Sequence, residues 1–232
     1  MAHLQVVGQM VCLEVHVRIR KGKIKIMRLY GYVITRDFGF APNPYYGICT
    51  LATCKPKIRK TAEIGDWVAG FGGSATLVKG RLVYIMRISE KIAFDDYWNG
   101  IKFDKKKPNF LKSRKACYGD NIYHHDDKGE WIQENSHHSF EDEINYKNLY
   151  KDTSEDAVLI SEKFWYFGNN APELPSNLDS LKHQSRGHKI AKDQNIIIRL
   201  IDWLENNFEE GINGRPFSLI GKKSFLRFAG DR

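Results

Sequence analysis

The chain has 232 residues, 42% hydrophobic and 28% charged, which suits one globular domain with or without an appendage and excludes wholesale disorder, collagen and low-complexity architectures. Its net charge of +8 points to a polyanionic partner. No apolar run approaches the ~18 residues of a membrane helix, so no membrane partner is expected, and four cysteines are too few for a disulfide scaffold, which places the chain in a reducing cytoplasm.

Residues 1–26 read as an N-terminal extension, with Met27 a possible natural start. Within it, Leu13, Val15, Val17 and Ile19 alternate with polar residues, the period of a strand over 13–20. Residues 29–35 (LYGYVIT) are β-rich and predict a buried strand. The loop RDFGFAPNPYYG follows, then a short strand or turn over 48–54 and the basic run Lys55 to Lys60. Residues 64–72 and 80–88 predict a hairpin, and 94–99 a short helix. The segment 101–115 holds seven basic residues against Asp104, whereas 120–156 holds eleven acids against three lysines.

Residues 117–124 and 130–138, split by HDDKG, predict a second hairpin, and 157–168 a late strand with a turn. A helix is predicted over about 189–208, with Ile190, Ile197, Ile201, Leu204 and Phe208 as its apolar stripe and Gly211 as its stop. Many short strands before one strong helix indicate an α+β fold, with a curled, mostly antiparallel sheet or barrel over residues 27–232.

The chemistry-bearing groups are less patterned. His124-His125 and His137-His138 lack metal-ligand spacing, and neighbours on a strand face opposite ways, so no metal is expected. Cys49 and Cys54 form C-x4-C without a second pair and read as small buried thiols. For a Cys–His nucleophile Cys117 is the candidate thiol, with no motif around it. Gly70-Phe71-Gly72-Gly73 has the wrong spacing for a dinucleotide loop, and no cofactor is expected.

Three segments combine amides or carboxylates with rings near turns: Arg36–Gly47, Tyr118–His124 and Gln133–Ser139. Such groups read base edges and stack on base faces, so a nucleotide or DNA pocket is expected. Arg36, Lys55, Lys57 and Arg59, with Lys60 and Lys105 to Lys107, are assigned to phosphates. Tyr45, Tyr46, Trp67 and Tyr118 are assigned to stacking, and Asp37, Asn43, Asp120, Asn121 and Ser136 to polar edges. If the protein is an enzyme, Asp37, Asp120, His124, His137 and His188 are the acid–base candidates. A third expectation is a non-catalytic interaction subunit that docks through the acidic segment 120–156.

The stretches YVITRDFGFAPNPYYGICTLATCKPKIRK, GDWVAGFGG, GRLVYIMRISEKIAFDDYW, YGDNIYHH, WIQENSHHS, VLISEKFWYFG and GHK resemble the nucleotide modification associated domain family, second numbered type, over about 27–190. That resemblance implies a link to bacterial and phage systems that modify DNA bases, and carries over no catalytic residues. The order of GDW, strand, loop and GRLVY is also similar to PUA-like and EVE-like barrels, which implies a pocket for a modified base or RNA.

Overall fold

The computed structural model describes residues 26–141, 143–222 and 224–228. The strand expected over 13–20 lies outside them. Eleven strands and five α-helices occur among the described residues. In chain order they begin with β1 (Leu29–Ile34), β2 (Cys49–Leu51), α1 (Pro56–Thr61), β3 (Trp67–Gly72), β4 (Leu82–Arg87) and β5 (Glu90–Ile92). Next come α2 (Phe94–Asn99), α3 (Arg114–Cys117), β6 (Tyr123–His125), β7 (Trp131–Gln133) and α4 (Tyr146–Thr153). The chain closes with β8 (Val158–Ser161), β9 (Lys163–Tyr166), β10 (His188–Ala191), α5 (Gln194–Asn207) and β11 (Gly211–Ile212).

The principal sheet has six strands in the order β10-β1-β3-β4-β9-β11. β3 and β4 pair antiparallel, as the hairpin reading expects, and β6 and β7 form the second hairpin. The fold is mixed α and β, with mostly antiparallel pairing and peripheral helices. The barrel expectation is corrected: β10 and β11 stand at opposite edges, so the sheet is open. Two parallel pairs, β1 with β3 and β9 with β11, also depart from a simple meander. β3 is buried at every position, as a central strand covered on both faces must be. Gly70 is required there because an added Cβ would lie 2.3 Å from Ile34 Cδ1 and 2.7 Å from the Tyr84 ring.

The segment 157–168 holds two strands in different sheets: β8 joins β2 and β5, while β9 joins the large sheet. The last helix begins later than its apolar pattern suggests. Residues 188–191 pair with β1, and Asp193 caps the helix by accepting from the Asn195 and Ile196 amides. A capping carboxylate fixes a helix start more strongly than one apolar residue upstream, and Ile190 lies on the edge strand, 38% exposed.

Two apolar clusters result. One lies between the large sheet and Ile197, Leu200 and Leu204 of α5, around a stacked Trp67–Trp165 pair with centroids 6.2 Å apart. The other gathers Phe40, Phe94, Tyr97, Tyr118 and Tyr123 against β8. Buried Arg59 on α1 lies over the Phe94 ring of the second cluster, 5.4 Å from its centroid. Its guanidinium donates to the carbonyls of Cys54 (3.0 Å), Glu155 (2.7 Å), Ala157 (2.6 Å) and Asp152. The α1 start is thereby locked to the end of α4.

Arg59→Met keeps the volume but strands these carbonyls. Each unsatisfied buried polar group costs about 1–3 kcal/mol, so urea unfolding of the variant is expected to show a loss of about 3 kcal/mol or more.

Candidate active site

A cavity of about 410 Å³ opens where β1, the start of α1, the turn after β7 and β10 meet. Its apolar walls include Tyr32, Ile34, Phe38, Phe40 and Phe228, and its cations are Arg36, Lys55, Lys57 and Lys151, with His137, His138 and His188 beside them. No Asp or Glu lines it among the described residues. Burial lowers the affinity of Lys55 for its proton, and its ammonium lies 4.5 Å from the centroid of the Tyr32 ring.

Cys54 lines this cavity and is brought together with His138 and Asp152, their sulfur, nitrogen and oxygen atoms lying within 4.8 Å of one another. The local backbone is unusual. Cys54 (φ 59°) and Lys55 (φ 44°) are consecutive non-glycine residues in the left-handed region, directly before Pro56 opens α1. Such conformations cost about 1–3 kcal/mol each and persist where the surroundings over-determine them. Here the surroundings are Asp152, whose Oδ1 accepts the Cys54 amide at 2.7 Å, and Arg59 on the Cys54 carbonyl.

Asp152, buried on α4, also receives His138 Nδ1 at 2.7 Å and the Tyr123 hydroxyl at 3.0 Å, both on Oδ2. His138 is fixed by its backbone as well. Its amide donates to Ser136 Oγ, and its carbonyl accepts from Gln133 and Asn148. Burial opposes charging of His138, but the Asp152 carboxylate and the hydrogen bonds to Asp152 and Cys54 prevail and hold the imidazole up at about 10. Asp152 is correspondingly held below the usual carboxylate range. With Nδ1 committed to the carboxylate, Nε2 is the ring nitrogen that can exchange a proton with a thiol. Thiol, imidazolium and orienting carboxylate thus stand together in an arrangement similar to a cysteine-dependent triad.

The same three side chains could supply ligands to a metal ion. The carboxylate already serves three donors, however, and His138 Nδ1 is committed to it. The arrangement therefore favours proton transfer over metal ligation.

The profile of the Nucleotide modification associated domain 2 family matches residues 26–223, most of the chain. The chain belongs to that family. No curated protein and no solved structure matches it. The resemblance read from the sequence is thereby shown for this Nucleotide modification associated domain 2 protein.

Of the residues expected at a site, Arg36, Lys55, Lys57, His137 and His188 do line the cavity. The others are not among its lining residues. Asp37 is buried under the Tyr166 hydroxyl and the amides of Gly39 and Phe217, and burial pushes its carboxyl up to about 6. Asp120 accepts from Thr50 and Tyr97 beside buried Lys106, whose ammonium is taken up by Asn43 and the Ile48 carbonyl. Asn43 and Asn121 donate to the Tyr118 and Tyr97 carbonyls, and Ser136 holds the His138 turn. His124 stacks on Trp98 and pairs with Glu134, outside the cavity. Trp67 is core, and Tyr118 is buried with its hydroxyl on the Leu226 amide. Tyr45 and Tyr46 pack against each other away from the cavity. Arg59 is spent on carbonyls, not phosphates.

Cys54, His138 and Asp152 escaped the sequence reading. The expectation of a buried thiol holds for Cys49 and not for Cys54, which is only partly buried and lines the cavity. Cys117, the candidate thiol of the sequence, donates weakly to the Asn109 and Ser113 carbonyls and has no histidine partner among the described contacts. The acidic segment supplies a wall and a buried carboxylate rather than only a polar surface.

The adjacent histidines shape stability in opposite ways. His138, raised to about 10, contributes fully below about pH 6.5 and loses its contribution as pH rises toward 10. His137, which burial and the neighbouring cation push down to about 3, contributes above about pH 6.5 and loses it as pH falls toward 3. Melting temperature is expected to peak near pH 6–7, with His138→Asn flattening the alkaline limb and His137→Asn the acid limb.

Proposed function

We propose that this protein is a cysteine-dependent enzyme acting on a phosphate-bearing substrate of the nucleotide class. The observation that carries the reading is the Cys54–His138–Asp152 cluster in the wall of a cavity whose charged side chains are cations. Lysine and arginine neutralise phosphate, and the phenylalanine walls suit a flat ring. Family membership supports the same substrate class.

The chemistry is covalent transfer at an electrophilic carbon of acyl type. The Cys54 thiol releases its proton to solvent beside the His138 imidazolium, and sulfur forms a bond to the carbon. The carbon–leaving-group bond breaks, and the imidazolium gives its proton to the leaving group, which leaves His138 neutral. A second nucleophile, water or an amine, then loses a proton to His138 and displaces sulfur. Asp152 keeps the ring in the required tautomer throughout. A recognition module for a modified base, whether free or in DNA, uses the same cations and rings but gives the Cys54 cluster no task. The basic mouth remains compatible with DNA as the bearer of the nucleotide.

Alkylation by iodoacetamide, mapped by mass spectrometry, tests the assignment. Cys54 is expected to react at least about tenfold faster than Cys49 or Cys117 at pH 7, and His138→Asn or Asp152→Asn is expected to erase most of that advantage. Equal rates at Cys54 and Cys117 in the folded protein would overturn the reading.

A further inference from the structure

His137, next to the base of the triad, is not used by that mechanism, yet it lines the cavity and is only 3% exposed. Its Nδ1 lies 2.5 Å from the Leu226 carbonyl oxygen. A carbonyl only accepts, so Nδ1 carries the hydrogen. The ring is kept neutral by burial and by the adjacent His138 cation. In the neutral Nδ1–H tautomer, Nε2 bears a lone pair and can only accept.

The ring is surrounded by aromatic faces, with centroids 4.5 Å from Phe38, 5.1 Å from Phe40 and 6.3 Å from Phe228. The tautomer depends on the chain's tail. The Phe228 amide donates to the His137 carbonyl at 2.7 Å, and Arg227 donates to the Ser136 carbonyl at 2.8 Å. Residues 224–228 lie beyond the stretch matched by the family profile.

We infer that His137 is a specificity-determining residue: a hydrogen-bond acceptor, locked by the Leu226 carbonyl, that selects a substrate whose ring presents an N–H donor. The inference rests on the cavity taking a nucleotide, as proposed above, but not on Cys54 being the nucleophile. A nucleobase with an amino or imino hydrogen fits this role. A bare sugar phosphate satisfies the cations and leaves His137 without a partner.

The test is calorimetric titration in a Cys54→Ala background, where no covalent step can intervene. The ligands are the four common 2′-deoxynucleoside 5′-monophosphates and 2-deoxyribose 5-phosphate. His137→Asn keeps a donor near Nδ1 for Leu226 and deletes the acceptor at Nε2, whereas His137→Gln restores a polar group at the Nε2 position. At least one nucleotide is expected to bind more tightly than the sugar phosphate. That nucleotide is expected to lose about tenfold with His137→Asn and regain most of it with His137→Gln. Methylating away the N–H of its base is expected to cost the parent about the same factor and the Asn variant nothing.

Equal weakening of the sugar phosphate and the nucleotide by His137→Asn would overturn the inference, and so would no change in either. If no nucleotide binds while the sugar phosphate does, this inference falls and the thiol chemistry stands. If nucleotides bind as expected but Cys54 shows no enhanced alkylation, the catalytic reading falls and this one stands.

Discussion

A single buried carboxylate joins the three parts of the site. Asp152 receives the Cys54 amide, the His138 ring and the Tyr123 hydroxyl, and these come from the loop before α1, the turn after β7 and strand β6. Three donors around one ion offset its desolvation. They also fix the distances between groups that are far apart in sequence. Arg59 performs the complementary task with backbone carbonyls, so that a cation and an anion, each buried, brace opposite sides of the α1–α4 junction. The left-handed turn at Cys54 and Lys55 persists because both braces hold it.

The rest of the architecture serves that junction. β1 delivers Tyr32 and Ile34 to the cavity because it is pinned between β3 and β10. The second buried polar network, Lys106 with Asn43 and Asp120 with Thr50 and Tyr97, holds the proline-rich loop that leads into β2 and then to Cys54. These residues look functional in a sequence because buried polar side chains are uncommon. In this protein they are engaged within the fold, and the cations that line the cavity are Arg36, Lys55, Lys57, Lys151 and the His138 ring.

The sequence discloses what is local. Both hairpins, the helix at 94–99 and the body of α5 follow from turn chemistry and apolar period. Pairings between distant segments do not follow from it. β1 with β3 in parallel and β10 beside β1 are long-range choices, and an open six-stranded sheet has nearly the same local pattern as a curled barrel. The site divides in the same way. Lys55, Lys57 and His188 were legible as cationic or titratable groups in suggestive segments. Cys54 was not, because its neighbours in sequence, Thr53 and Lys55, give no sign of the carboxylate 98 residues away that fixes it. The choice between His137 and His138 likewise needed Asp152 and Leu226, which assign one ring to be charged and the other neutral.

The pinning of β1 has a consequence for the order in which the protein comes into being. A ribosome delivers Cys54 early, but His138 and Asp152 arrive 84 and 98 residues later. The β10 edge and the Phe228 wall come last of all. Contacts of such sequence separation are slow to close. During synthesis the Cys54 thiol therefore spends its time without the His138 ring, the Asp152 carboxylate and the cavity walls that surround it in the folded protein. The reactivity proposed for Cys54 requires nearly the whole domain to be out. No shorter stretch of this chain holds the complete site, so whatever chemistry Cys54 performs is confined to molecules that have finished folding.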